Sequence, residues 1–360
     1  MRVTFPQMAE VQILLETILH ELGVETVSPP PINGETVELG VKYAPEFICY
    51  PFKMNLGNYL QALQRGADTV LMAGGCGPCR FGNYAEVQQE ILRGLGYDVK
   101  FIILEPPRAG APPFWRELLA FLGWRRMLKL PQALGFAWKK LNVLEEINRK
   151  VRWLQPREAQ VGNALALYRR YRRLAAEASL VKDLALVRES FRQELAAVPR
   201  REGYRPLRIL LAGEIYMVLE PNVNFHVEET LGRMDVEVHR AISISNWVKE
   251  NLLRGLNRRA VQRQALRAEK YLRCFVGGHG RETVAEAVHA GVNGYDGMVQ
   301  IMPFTCMPEL VAQSILPEVG RDYRLPVMTL ILDEHSGEAG VCTRLEAFVD
   351  LIRRGREKSA

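Results

Sequence analysis

Four cysteines in three short segments rich in glycine and proline are the residues whose type and spacing could do chemistry. The segments are Cys-Tyr-Pro-Phe-Lys at Cys49, Gly-Gly-Cys-Gly-Pro-Cys-Arg-Phe-Gly at Cys76 and Cys79, and Pro-Phe-Thr-Cys-Met-Pro-Glu at Cys306. Cysteine thiolates are soft ligands that suit iron–sulfur clusters and zinc. One C-x-x-C pair with two distant cysteines can supply a four-thiolate site. The pattern therefore predicts a metal centre on these four cysteines, with an iron–sulfur cluster as the first interpretation.

Three other interpretations of the same cysteines stay open. A structural zinc site has the right number of ligands, although such sites usually use two short-range pairs. Cys76 and Cys79 could be a redox dithiol of the thioredoxin type, which leaves Cys49 and Cys306 unexplained. Free cysteines are also often simply buried. The remaining two cysteines differ: Cys274 lies in a strand-like segment where we expect a core role, and Cys342 lies near a helix start.

A glycine-rich turn adds candidates for cofactor binding. The turn Gly277-Gly278-His279-Gly280 leads into a predicted helix. It could cradle a phosphate or an anionic cluster at the helix N-terminus, or it could be a tight turn that needs glycine geometry. We assign this turn, together with Arg80, as the candidate cofactor-binding set. Lys53, Arg80 and His279 are candidates to meet anionic groups of a substrate. The P-loop and dinucleotide-binding glycine patterns are absent, so the sequence predicts no ATP site.

Acidic side chains also follow predicted strands. Glu214 lies in Gly-Glu-Ile-Tyr, and Asp333, Glu334 and His335 are consecutive. The trio has the ligand types of a metal site, but a polar loop at a strand end is the commoner explanation.

Composition limits the class of protein. The chain has 360 residues, a formal charge of +6 and six cysteines. We expect a cytoplasmic protein, because no apolar run reaches the ~18 residues that span a bilayer and no signal peptide is visible. No nucleic-acid motif is present. The arginine group Arg169, Arg170, Arg172 and Arg173 indicates a solvated helix face, or a surface for an acidic partner protein or a nucleotide-bearing substrate.

The elements that must position these residues follow an α/β pattern. Residues 1–106 alternate between predicted strands and helices, residues 107–205 are helical, and residues 206–360 alternate again. Alternation at this spacing predicts parallel sheets with crossover helices. Predicted strands Glu46–Tyr50, Asp68–Ala73 and Gly297–Met302 each end at or just before one of the cysteine segments. Ligands bind at the carboxyl ends of such strands, so the cysteine positions fit a site there.

These segments resemble the 2-hydroxyacyl-CoA dehydratase component superfamily, in particular its activase-related branch. The resemblance rests on the three cysteine segments and on Gly-Glu-Ile-Tyr (213–216), Gly-Gly-His-Gly (277–280) and Thr-Arg-Leu-Glu-Ala-Phe (343–348). It implies two flavodoxin-like (Rossmann-like) domains with a helical insertion between them. It also implies a 4Fe–4S cluster in the cleft between these domains, held on three positions that match Cys49, one of Cys76 and Cys79, and Cys306.

The resemblance further implies a partner and a class of activity. The partner is an ATP-dependent activator of the sugar kinase/Hsp70/actin type, and the substrate is an acyl-CoA or another small molecule. The additional cysteine of the C-x-x-C pair departs from the dehydratase pattern, and it fits pure electron transfer or a larger, double-cubane cluster. We therefore expect a cluster-bearing redox component that acts at low potential. The alternative is a non-catalytic zinc- or cluster-binding regulatory or structural protein. A homodimer is expected from base rates alone.

Overall fold

The computed structural model describes residues 1–75, 78–104, 114–251 and 258–358. Its N-terminal part contains a parallel sheet in the order β1-β2-β3 with helices around it. In chain order the elements are β1 (Val3–Thr4), α1 (Ala9–Glu21), α2 (Gly34–Tyr43), α3 (Tyr50–Gln64), β2 (Thr69–Ala73), α4 (Tyr84–Gly94) and β3 (Lys100–Leu104). β2 is the central strand, and it pairs with β3 along its whole length.

The predicted strand Glu46–Tyr50 is wrong. Cys49 is instead the residue before α3, and Pro51 lies in the first turn of that helix, where its missing N–H costs nothing. All residues of α3 from Tyr50 to Leu63 are buried. A helix that is buried on all sides has no amphipathic period, so its first half could not be identified from the pattern. Helix α2 was also missed, although Asn33 and Thr36 form a capping box at its start.

A layer of helices follows in the chain. It consists of α5 (Phe114–Met127), α6 (Leu130–Leu154), α7 (Asn163–Glu177) and α8 (Val181–Ala197). The helical region predicted there is divided after α6, because Gly162 adopts φ 104 before α7 and the chain is non-helical again at residues 178–180. The Glu158 carboxylate accepts hydrogen bonds from the backbone N–H groups of Gly162 and Ala164 at the start of α7. α6, α7 and α8 share a core to which Ile13 of α1 also belongs.

The C-terminal part contains a second parallel sheet. Its elements are β4 (Leu207–Gly213), α9 (Ile215–Leu219), α10 (Val227–Arg233), β5 (Val236–Arg240), α11 (Ile244–Asn251), α12 (Arg258–Ala268), α13 (Gly280–Val292), β6 (Gly297–Pro303), α14 (Met307–Tyr323), β7 (Val327–Leu332) and α15 (Glu338–Glu357). The strand-like segment around Cys274 is not a strand, and Cys274 is exposed rather than in the core. Leu272, two positions before Cys274, is the buried residue of this apolar segment.

The order of the second sheet fixes where a ligand can bind. The strands lie in the order β5-β4-β6-β7, so β5 lies on one side of β4 and β6 lies on the other. This is the start of a flavodoxin-like sheet, and it creates a crevice at the carboxyl ends of β4 and β6. The prediction of two parallel-sheet α/β units with helices between them is confirmed. The domain boundary predicted at 106–107 lies outside the described residues, and the one at 205–206 stays a prediction. No helix among those described is long and apolar enough to cross a membrane.

Gly213 lies at this crevice, and a substitution there tests how closely β4 and β6 approach each other. It has φ 133, and a Cβ atom there would lie 1.9 Å from the Ile301 carbonyl oxygen. We expect Gly213→Ala to lower the free energy of unfolding by at least about 3 kcal/mol, measured by urea denaturation. Gly135→Ala is the control, because Gly135 lies inside α6 with open space around its Cα. It should be neutral or raise stability by up to about 1 kcal/mol. Equal stability of the two variants would contradict the close approach.

Candidate functional site

The three described cysteines of the predicted site share one structural position. Cys49 precedes α3, Cys306 precedes α14, and Cys79 precedes a short 3-10 turn, Arg80–Asn83. Cys49 and Cys306 are buried and Cys79 is partly buried. α3 and α14 are long helices, so their N-terminal N–H groups and dipoles favour negative charge beside Cys49 and Cys306. Cys76 lies outside the described residues.

Arg80 joins these cysteine segments. Its Nη2 atom donates a hydrogen bond to the Cys49 sulfur at 3.1 Å and to the Thr305 carbonyl oxygen at 2.5 Å. Its Nη1 atom donates to the carbonyl oxygen of Phe47 at 2.8 Å. The Thr305 hydroxyl donates to the same Phe47 oxygen at 3.2 Å. One guanidinium therefore holds the loops before Cys49 and Cys306 together from its position directly after Cys79.

The thiols lie close enough to influence one another electrostatically. Burial raises the pKa of the Cys79 thiol, and the negative charges of Glu214 and Cys49 raise it further, whereas the Phe81 N–H and Arg80 lower it. Burial also raises the pKa of Cys306 well above its ordinary value, with Glu214, Glu309 and Cys49 acting in the same direction. Because the charge of Cys49 affects both of the other thiols, the three sulfurs lie within electrostatic range of one another. A positively charged group bound there would reverse this effect and favour thiolates.

Acidic side chains form the C-terminal side of this region. Glu214 follows β4, and burial raises its pKa to about 7. Its carboxylate accepts a hydrogen bond from the Met217 N–H, so it also caps α9. Glu309 is fully buried, accepts hydrogen bonds from Thr283 and Gln300, and has a pKa raised to about 7 by burial. Within the described ranges, no three His, Cys, Asp or Glu side chains form a group that could hold a single metal ion.

The predicted glycine turn contacts two cysteine segments directly. A Cβ atom on Gly277 would lie 2.9 Å from the Pro78 ring and 3.0 Å from the Cys79 nitrogen. A Cβ atom on Gly280 would lie 2.2 Å from the Pro308 carbonyl oxygen, and one on Gly278 would lie 3.1 Å from the Pro308 ring. The glycines therefore let the segments of Cys79 and Cys306 pack against one turn. This packing requires glycine geometry, whichever anion the site accepts.

His279 lies at a small cavity that also includes Ala212 of β4 and Thr283 of α13. Its ring lines a small cavity with Trp247, Glu282 and Glu286, next to α11 and α12. Burial lowers its pKa to about 4, so the imidazole is neutral near pH 7. A neutral ring carries no charge with which to meet an anion. The prediction that His279 helps to bind an anionic group therefore lacks support from its surroundings.

Lys53 of α3 forms a buried ion pair with the segment that follows β7. Its side chain is 3% exposed, and its Nζ atom donates to Oε1 of Glu334, the residue after Asp333 at the end of β7. Lys53 is thus engaged by a carboxylate. The other members of the predicted acidic trio also have local roles: Asp333 accepts hydrogen bonds from the His335 N–H and the Ser336 hydroxyl, and His335 is exposed. The three do not form a joint ligand set.

Several residues of the site were not predicted from the sequence. Thr305 bonds to Arg80, and the Tyr84 hydroxyl faces Cys49, which contributes to its raised pKa after the larger effect of burial. One sequence signal was available: Cys49, Cys76 and Cys306 are each followed two positions later by proline. Proline suits the first turn of a helix, so a repeated Cys-x-Pro pattern indicates cysteines at helix starts. Nothing in the sequence pairs Thr305 with Arg80.

Comparison of the chain with protein-family models and with curated proteins found no match to either.

The Lys53–Glu334 pair gives a test of how the two sheets are joined. Removing one partner of a buried ion pair leaves an uncompensated charge, which costs about 3–5 kcal/mol. We expect Lys53→Met to lower the free energy of unfolding by about this amount in urea denaturation. The double variant Lys53→Met/Glu334→Leu should recover most of the loss, because both charges are then gone. A double variant as unstable as the single one would contradict a direct pair.

Proposed function

We propose that this chain holds an iron–sulfur cluster on Cys49, Cys79 and Cys306, with Cys76 as a further ligand. We infer that it accepts electrons from an ATP-dependent activator protein and transfers them onward, or to a small-molecule or acyl-CoA substrate, at low potential. The observation that carries the proposal is the Arg80 guanidinium. It follows Cys79, donates to the Cys49 sulfur, and bonds to Thr305 next to Cys306. Segments of the N-terminal and C-terminal parts that carry these cysteines are thereby held together.

The donor set fits such a cluster. Three soft ligands come from separate segments, as expected for a group too large for one loop. The Phe81 N–H lowers the pKa of Cys79, and the Glu309 N–H lowers that of Cys306, so each sulfur has a nearby donor that favours the thiolate. Hydrogen bonds to sulfur and low exposure tune cluster potentials. When bound, the cluster would supply one-electron chemistry.

The surface around the site supports a protein partner. Phe47 is 70% exposed, Phe304 50% and Met307 54%. Arg80 donates to the Phe47 carbonyl oxygen, Phe304 precedes Thr305, and Met307 follows Cys306. Exposed apolar side chains beside a functional cleft are typical of surfaces that bind another protein. The activator implied by the resemblance is a partner that would use such a surface. The resemblance also supplies the acyl-CoA class of substrate.

The first experiment measures iron and acid-labile sulfide in anaerobically purified protein and in single Cys→Ser variants. We expect about four of each per chain and a broad absorbance near 400 nm. Cys49→Ser and Cys306→Ser should lose most of the iron, because each removes a buried ligand. Cys76→Ser and Cys79→Ser show which member of the pair is required.

Cys274→Ser is the matched control, because Cys274 is exposed and was not assigned to the site. It should retain full iron. A content near eight irons that also depends on Cys274 or Cys342 would indicate a double-cubane cluster. Zinc, or no metal at all in protein that was never exposed to oxygen, would overturn the proposal and favour a regulatory or structural role.

Arg80 should tune the potential of the cluster. Arg80→Gln removes a positive charge and a donor to the Cys49 sulfur, which makes reduction less favourable. We expect the midpoint potential to fall by roughly 60 mV, a tenfold change in a one-electron equilibrium. Anaerobic redox titration followed by electron paramagnetic resonance measures it.

Arg93→Gln provides the comparison, since Arg93 pairs with Glu90 on the exposed side of α4 and should leave the potential unchanged. Iron content must first be shown to match the wild type. An unchanged or higher potential in Arg80→Gln at full iron content would argue against the contact with Cys49.

A further inference from the structure

A second cavity, distant from the cysteines in the chain, lies between the helical layer and the C-terminal sheet. It is bounded by the start of α1, by α6 and α7, and by the segment after α9. Its volume of about 440 Å³ is in the range of sites for small molecules. Arg169 and Arg173 on its wall are exposed, so it opens to solvent.

One face of α7 forms the wall of this cavity. Leu165, Tyr168, Arg169, Arg172 and Arg173 all line it, at the spacing of a single helix face. Arg172 and Arg173 have no hydrogen bond or ion pair to any described residue, whereas Arg169 reaches Glu229 at 3.5 Å. The arginine group of the sequence is thus divided. Its fourth member, Arg170, lies away from the cavity and pairs with Glu194 at 2.9 Å.

Two buried guanidiniums form the floor. The Arg240 side chain, at the end of β5, is 5% exposed, and that of Arg152 on α6 is 14% exposed. Each has Glu228 as an ion-pair partner, at a long distance of 3.6 Å. The Nε atoms of both are buried without a hydrogen bond, and Nη1 of Arg152 has only its long contact with Glu228 Oε1. Unsatisfied guanidinium N–H groups are costly, and they are matched by the oxygens of a carboxylate or phosphate.

Two of the four glutamates that line the cavity, Glu220 and Glu229, have partners other than the floor arginines. Glu220 accepts hydrogen bonds from the Ala9 N–H at 2.7 Å and from the Asn222 side chain at 3.0 Å. Glu229 pairs with Arg233. The charges of Glu228 and Glu10 act on the two floor arginines, whereas Arg172 and Arg173 have no ion pair with a described carboxylate. Gln7 Oε1 and Asn148 Oδ1 are buried acceptors without partners, so they can receive hydroxyl or amino groups.

We propose that this cavity binds a small, multiply charged anion that carries phosphate or several carboxylates, with its oxygens on Arg152, Arg172 and Arg240. The site uses no cysteine, so it stands independently of the cluster. Its arginines supply forked pairs of N–H donors, which suit the oxygens of both phosphates and carboxylates. Hydroxyl groups on the same ligand fit the free acceptors of Gln7 and Asn148.

Isothermal titration with inorganic pyrophosphate and, separately, with citrate tests the proposal on the full chain at low ionic strength. We expect saturable binding at one site per chain. The double variant Arg172→Gln/Arg173→Gln should weaken it at least about tenfold, because the charge-assisted contact of Arg172 and the nearby positive charge of Arg173 are both lost. Tighter pyrophosphate binding assigns a phosphate ligand, and tighter citrate binding assigns a polycarboxylate.

Arg170→Gln is the matched control on the same helix, and it should bind as the wild type does. Thermal melting of each variant checks that it remains folded. Absence of saturable binding by the wild type would overturn the proposal, as would equal weakening by Arg170→Gln, which indicates non-specific attraction to charge. Iron content should be unaffected by all three substitutions, so failure here is distinguishable from failure of the cluster proposal.

Discussion

The buried ion pair between Lys53 and Glu334 is the interaction on which the geometry of the cysteine site depends. It joins α3 of the N-terminal part to the end of β7, and it is nearly sealed from solvent. Buried charges tolerate few alternative partners, because separating them exposes each to a large desolvation penalty. The pair therefore favours one relative position of the two sheets. Tyr50 and Met54 of α3 add apolar packing to the same junction, since they belong to the core of the C-terminal sheet.

Close backbone packing then brings the cysteine segments together. Gly277, Gly278 and Gly280 contact the segments of Cys79 and Cys306, and Arg80 links both to the loop before Cys49. A side chain on Gly280 would collide with a backbone oxygen, which cannot rotate away as a side chain can. The hydrogen bonds of Arg80 and the close packing of the glycines hold the same cysteine segments. The site is thus rigid at its base, while Phe47 and Met307 at its edge remain exposed.

The helical layer has a role of its own in this arrangement. Its shared core with Ile13 ties it to α1, and its outer arginines are divided between an ion pair at Glu194 and the cavity beside Arg240. The arginines of one helix, α7, therefore contribute to two different surfaces. Helix geometry decides between them, because neighbours such as Arg169 and Arg170 project about 100° apart around the axis.

The sequence by itself determined the parallel α/β class and the carboxyl end of the strand that finishes at Ala73, because apolar runs between turn residues identify buried strands. It also identified Cys49, Cys79 and Cys306 as chemically distinctive. Only the tertiary structure decided that α3 begins at Tyr50, since a helix buried on every side loses its period. It alone paired Lys53 with Glu334 and Arg80 with Thr305, residues 281 and 225 positions apart. Such contacts depend on how sheets and helices pack in space, and local propensity carries no record of that packing.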